Sequence, residues 1–164
     1  MKTPVSLPHC ANEKVPQPEA PYFHKIPVQV RFSDIDILGH INNSVYLTFF
    51  DLAKADYFTT VTGRPVEKGE LLLAIVNINC NFYSPGYFRE ELVVASRVKS
   101  ISQRAVVLEQ RLYNPESGDV KCIATTVMAG FDPATAAGVE IPDEIARQIE
   151  AFEERKLKII HTFA

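Results

Sequence analysis

Long apolar runs are missing from this chain, and so is any excess of basic charge. No stretch approaches the ~20 apolar residues that a membrane-spanning helix needs, so no membrane partner is expected. The opening MKTPVSLPHCANEKVPQPEAP has no apolar central block of the kind a secretory leader carries. A cytoplasmic protein is the expectation. Net charge is −3 with no basic block, which removes the usual footprint of a nucleic-acid binder. A local basic patch can still hold a phosphate-bearing ligand. Cysteine is scarce: Cys10, Cys80 and Cys122 are odd in number and widely spaced, against both a disulfide framework and a zinc site. There is no G-x-S-x-G, and a cysteine stands beside a histidine only at His9-Cys10, so no serine or cysteine nucleophile announces itself. Internal repeats and βαβ alternation are absent too.

What is present suits one domain. The chain has 164 residues, of which 46% are hydrophobic and 23% charged, enough to bury a core without staples. Residues 1–24 carry Pro4, Pro8, Pro16, Pro18 and Pro21 and read as a Pro-rich tail, flexible or else draped over a neighbour, with the domain at 25–164. From Ile26, Val28, Val30 and Phe32 alternate with Gln29, Arg31 and Ser33, which predicts a strand with one buried face. From Ser44 to Val61 the apolar residues recur at helical spacing, with Tyr46, Leu47, Phe50 and Tyr57 widening the stripe. That predicts a helix buried on most sides, capped by Asn42 or Asn43 and ended at Gly63. Strands follow at 71–84, 91–101, 105–114 and 120–132, joined by connectors short enough for antiparallel neighbours. A helix in IPDEIARQIEAFEERK closes the series. The fold class expected is α+β: an antiparallel sheet around one long buried helix, with a C-terminal helix.

The chemistry gathers in RFSDIDILGHINNSVYLTFF, residues 31–50. Asp34, Asp36, Gly39 and Asn42 suit a strand end, a turn and a helix cap, which is the plain reading. An EF-hand loop is excluded, because its fifth and twelfth positions are Leu38 and Val45. Magnesium-assisted phosphoryl transfer needs further carboxylates, and Asp119, Asp132 and Asp143 are scattered. Acyl transfer fits better. Asp-x-Asp at a strand end puts both carboxylates on one side. Gly39 allows a tight turn, and the free N–H groups of the helix start can face an acyl oxygen. A carboxylate there can attack the carbonyl or activate a water.

DIDILGHINNSVY resembles the signature of the hotdog-fold thioesterases, the 4-hydroxybenzoyl-CoA thioesterase-like acyl-CoA thioesterases. Their pattern, Asp-x-Asp-x-x-Gly-His-(Val/Ile)-Asn-Asn-x-x-Tyr, is met by Asp34, Asp36, Gly39, His40, Ile41, Asn42, Asn43 and Tyr46. The likeness extends through the layout of residues 26 to about 133. It departs on the helix, where many members have Glu and Arg and this chain has Asp51 and Lys54. The resemblance implies an acyl-CoA thioesterase without metal or redox cofactor, acting as a homodimer or homotetramer. It implies Asp36 as the catalytic carboxylate and the Asn43 N–H as the donor to the thioester carbonyl. His40 is either an orienting hydrogen-bonder or a proton carrier. Asp34, Gly39 and Tyr46 are candidate substrate contacts, Asp34 mainly by organising the turn through backbone or His40 bonds, and Tyr46 alternatively a core or subunit contact. Asp51 and Asp56 are expected in solvent or at a subunit contact. Phe49 and Phe50, with residues 71–84, are candidates to line the acyl channel. Arg89, Arg97, Lys99, Arg104 and Lys121 are read chiefly as surface charges, some of which can meet nucleotide phosphates. A non-catalytic acyl-thioester sensor is the alternative.

Overall fold

The computed structural model describes residues 1–65 and 73–159. Strand β1 (His24–Val28) is followed by a 3-10 turn at Phe32–Asp34, then helix α1 (Asn43–Thr62). Strands β2 (Leu73–Phe82), β3 (Leu92–Ile101), β4 (Ala105–Tyr113) and β5 (Val120–Asp132) come next. The short β6 (Ala137–Gly138), helix α2 (Asp143–Glu153) and β7 (Lys158–Ile159) complete the order. The sheet runs β1-β3-β4-β5-β2 with antiparallel pairing along that path. Residues 71 and 72 of the expected first meander strand lie outside the described residues.

Two expectations fail here for reasons of topology and turn chemistry. The connector after β2 is not a hairpin: β2 pairs with β5, and residues 83–91 carry the chain across the sheet to β3. The strand expected to reach Ser33 stops at Val28, where β1's pairing with β3 ends at Leu92. The Asp34 N–H then donates to the Arg31 carbonyl, closing the turn, and Phe32 is 82% exposed instead of sharing the buried face of Val28. Asp34 and Asp36 therefore do not project together from a strand.

Helix α1 starts where expected. The Asn42 side chain accepts the Ser44 N–H, and Gly63 ends the helix at φ +73, a conformation glycine adopts without strain. Tyr46, Phe49, Phe50 and Ala53 pack on Leu92, Val94, Leu112, Cys122 and Ala124. Further along, Tyr57 and Phe58 pack on Val98, Leu108 and Met128, and Ile149 of α2 and Leu157 complete that part of the core. The helix is not buried on most sides: Leu47 and Leu52 are 39% and 56% exposed, because a single sheet covers a single face. The wrapped helix and antiparallel sheet are the hotdog arrangement.

The other face of the sheet is covered by the N-terminal segment. Residues 1–23 form no helix or strand, yet Val15 and Tyr22 are buried against Ala95, Tyr113, Val120 and Ile123. The Tyr22 hydroxyl donates to Glu109, and Arg111 Nη2 donates to the Pro16 carbonyl at 2.7 Å. No helix among the described residues is long and apolar enough to cross a membrane.

Candidate active site

The motif folds into a loop stapled at its base. The Asp36 N–H donates to the His40 carbonyl at 2.8 Å, and the Gly39 N–H donates back to the Asp36 carbonyl at 3.0 Å. Gly39 sits at φ +79, which explains a glycine at this point of so tight a turn. The next crosslink joins the loop to the segment after β2: the Ile41 N–H donates to the Gly86 carbonyl at 2.8 Å. Gly86 in turn donates its N–H to the Tyr46 hydroxyl at 3.1 Å.

The two aspartates have different surroundings. Asp34 is 2% exposed and is held by Arg31, through its N–H at 2.8 Å and its guanidinium at 3.0 Å. Among the described residues neither carboxylate oxygen is bonded to His40. Asp36 is half-buried. Its Oδ1 accepts the N–H groups of Leu38 at 2.9 Å and, more weakly, His40 at 3.4 Å. Its Oδ2 accepts no hydrogen bond among the described residues.

Asp36, His40, Asn43 and Tyr46 line one cleft, with Leu38, Ile41 and Phe82–Pro85 as the remaining wall. Its volume is about 350 Å³. Asp34 and Gly39 do not line it; they shape the loop that does. The Asn43 N–H, first of α1, has no acceptor among the described residues, as the opening turn of a helix dictates. Val45 is bonded to the cap carbonyl, and Ser44 to the cap side chain. The His40 ring meets the Tyr87 ring edge-on at 5.4 Å and makes no hydrogen bond, so the orienting bond considered for it is not formed among the described residues. Tyr46 is 2% exposed and stacks edge-on against Phe82. Burial raises its hydroxyl's pKa above the usual tyrosine value.

Other candidates fall elsewhere. Phe49 and Phe50 are core residues and do not line the cleft, whereas Phe82, Tyr83 and Ser84 from the 71–84 segment do. Asp51 pairs with Lys54 at 2.7 Å on the outer side of α1, and Asp56 pairs with buried His24 at 2.7 Å. Arg97 and Lys121 are not surface charges: they are 1% and 2% exposed. Lys121, expected at the surface, is instead enclosed at the site. Its Nζ bonds the Pro85 carbonyl at 3.0 Å and pairs with Asp119 at 2.7 Å and Glu90 at 2.9 Å, bracing the 84–90 segment beneath the cleft wall. The one local hint was Asp119 two residues before it; Glu90 is distant in sequence. Among the described residues no group of three or more His, Cys, Asp or Glu side chains is placed to hold a metal ion.

Residues 30–149 match the family model of the thioesterase-like superfamily. The chain belongs to that superfamily. The long-chain acyl-CoA thioesterase FadM of Escherichia coli (strain K12) is 23% identical over 129 residues, covering 75% of this chain and 94% of FadM. The acyl-CoA thioesterase YbgC of Helicobacter pylori is 24% identical over 121 residues, covering 70% of this chain and 90% of that protein. A thioesterase of Thermus thermophilus, solved with coenzyme A and Zn, superposes with a TM-score of 0.72 at 24% identity, over 81% of this chain and 96% of its own. That superposition carries the fold; the superfamily assignment rests on the family model.

Proposed function

We propose that this thioesterase-superfamily protein hydrolyses an acyl-CoA thioester to a carboxylic acid and free CoA, with Asp36 as the catalytic carboxylate. The observation that carries the reading is the pairing of unfilled capacities in one cleft: Asp36 Oδ2 lacks a donor and the Asn43 N–H lacks an acceptor among the described residues. A thioester carbonyl bound at Asn43 gains a donor for the oxygen that becomes negative in the tetrahedral intermediate. Such a donor is typically worth about 3–4 kcal/mol in the transition state.

Two routes use the same residues. As a general base, Asp36 takes a proton from water, the resulting hydroxide adds to the acyl carbon, and collapse of the intermediate expels CoA thiolate, which is then protonated. As a nucleophile, Asp36 expels the thiolate itself and forms a mixed anhydride that water opens. In this reading His40, at the cleft wall beside Tyr87, carries the proton to the leaving sulfur. Tyr46 forms the cleft floor, and Gly39 and the Arg31–Asp34 pair hold the loop in position. Label found in the Asp36 carboxyl group after repeated cycles in ¹⁸O-water identifies the nucleophile route with water opening the anhydride at the aspartyl carbon.

A second copy of the chain completes this reading. Strand β2 ends the sheet, and its Ile75, Val76, Ile78 and Phe82 are 39–62% exposed. An apolar strand edge is self-complementary about a twofold axis, so a homodimer joined there covers it. Sedimentation of the protein tests this, and a monomer at micromolar concentration speaks against it.

The deciding experiment measures free-thiol release from aromatic, short-chain and long-chain acyl-CoA esters, with Asp36→Asn alongside. Turnover by the parent protein and its loss in the variant supports the enzyme. Binding of acyl-CoA by the parent without release of thiol supports the sensor instead.

A further inference from the structure

The face of the sheet opposite α1 carries an unbalanced positive charge. Arg97 pairs with Glu109 at 3.2 Å, and Lys99 approaches the same carboxylate at 3.6 Å. The Tyr22 hydroxyl also donates to it. One carboxylate thus serves two cations and a phenol. Arg111, two residues further along β4, is 5% exposed and forms no ion pair among the described residues. Its Nη2 donates to the Pro16 carbonyl, and its buried Nε has no partner among them. A buried guanidinium without a counter-ion and with an idle donor is costly to the fold.

The guanidinium-bearing side chain lies in the wall of a cavity of about 120 Å³. Leu7, Cys10 and Val15 of the N-terminal segment form one side, and Tyr113 and Val120 the other. The chain itself roofs this space. At Gly118 an added Cβ would fall 1.9 Å from the His9 carbonyl oxygen, so the β4–β5 turn rests directly on the backbone of the segment. No lining residue is shared with the Asp36 cleft.

We propose that this cavity is a binding site for a short-chain carboxylate, its carboxyl group on the Arg111 guanidinium and its tail among Leu7, Val15 and Val120. Nη2 is held by Pro16 and Nε is enclosed, and a charge-assisted bond from the rest of the guanidinium to a carboxylate is among the strong ones. The lining is mixed, with His9 and Gln17 beside Leu7, Val15 and Val120, and those three give a hydrocarbon tail contacts that a hydrated inorganic anion does not use. A cavity of ~150 Å³ accommodates benzene, with six non-hydrogen atoms, so this smaller one takes a carboxylate of about three carbons. The site is independent of the reaction proposed for the cleft.

Titration calorimetry of the full chain with propionate, propanamide and sodium chloride tests the proposal, with the Arg side-chain ¹⁵Nε–H spectrum as a second readout. Propionate is expected to bind at least tenfold more tightly than propanamide and to move the one Nε–H resonance that Arg111→Met removes. Arg111→Met is expected to weaken propionate at least tenfold, and Asp36→Asn to leave it unchanged. Val15→Phe keeps the guanidinium and fills the cavity, so it should also abolish binding; it carries the test if Arg111→Met fails to fold. The proposal is overturned if propionate does not bind, if propanamide or chloride binds as well, if Val15→Phe binds like the parent, or if Asp36→Asn abolishes the signal.

Discussion

The two ends of α1 treat a carboxylate in opposite ways. At the N-terminal end Asp36 is half-buried, with one oxygen bonded to backbone amides and the other idle beside a cleft. At the C-terminal end Glu153 is 2% exposed, and its Oε1 accepts the Tyr57 hydroxyl at 2.6 Å and the Val98 N–H at 2.8 Å. That second carboxyl group ties α1, α2 and β3 together. Burial raises its pKa above the usual glutamate value, and the bonds from Tyr57 and Val98 and the charge of Arg155 do not offset the rise. Each has one oxygen without a partner among the described residues, so access makes the difference: a carboxylate open to a cleft can do chemistry, and one enclosed in the core can only fasten.

The sharpest test of this contrast is Asp36→Asn. It keeps the shape and one acceptor oxygen, so the melting temperature should move little. The rate of thiol release should fall by about 10²–10⁴, the range for losing a general base. A variant with full activity would remove the contrast altogether. At the other end, Tyr57→Phe leaves Glu153 with a single donor and should cost about 1–3 kcal/mol in urea unfolding while thiol release per folded molecule is unchanged.

Gly86→Ala probes whether the open end is as tolerant as its solvent contact suggests. The new Cβ would stand 2.6 Å from Ile41 Cδ1 and 3.1 Å from the Tyr46 hydroxyl oxygen. The Ile41 methyl can swing aside, so the expected cost is about 1–2 kcal/mol, with a severalfold fall in thiol release from the displaced loop.

The smallest effect is on pH. Glu153 holds its proton more tightly in the folded chain than in the unfolded one. Its contribution to stability is therefore full below the ordinary glutamate pKa and declines as pH rises through the raised value. Glu109 runs the other way. Burial raises its pKa, but the Tyr22 bond and the charges of Arg97 and Lys99 bring it below the usual value. Its contribution is present above the ordinary range and lost as pH falls through the lowered value. Denaturation curves across the acid range should show Glu153→Gln removing a decline on the alkaline side of the carboxyl range. Glu109→Gln should remove one on the acid side.

Local pattern was enough for the helix and most strands. Asn42, Gly63 and the apolar spacing between them set the ends and the buried stripe of α1, because capping and periodicity act within a few residues. The eight motif residues from Asp34 to Tyr46 were legible for the same reason: their turn and cap are made of contacts between near neighbours in the chain. Long-range pairing was not. Nothing within 71–84 says that β2 lies beside β5 and not β3, since an alternating strand is compatible with any partner of like pattern. Nor does a lysine in a strand reveal that Glu90, Asp119 and the Pro85 carbonyl will enclose it. The sequence by itself determined the helix, its cap and the acid-bearing turn. The tertiary structure decided which aspartate faces the cleft and which charges are buried, because those depend on segments that meet only after the sheet has closed around α1.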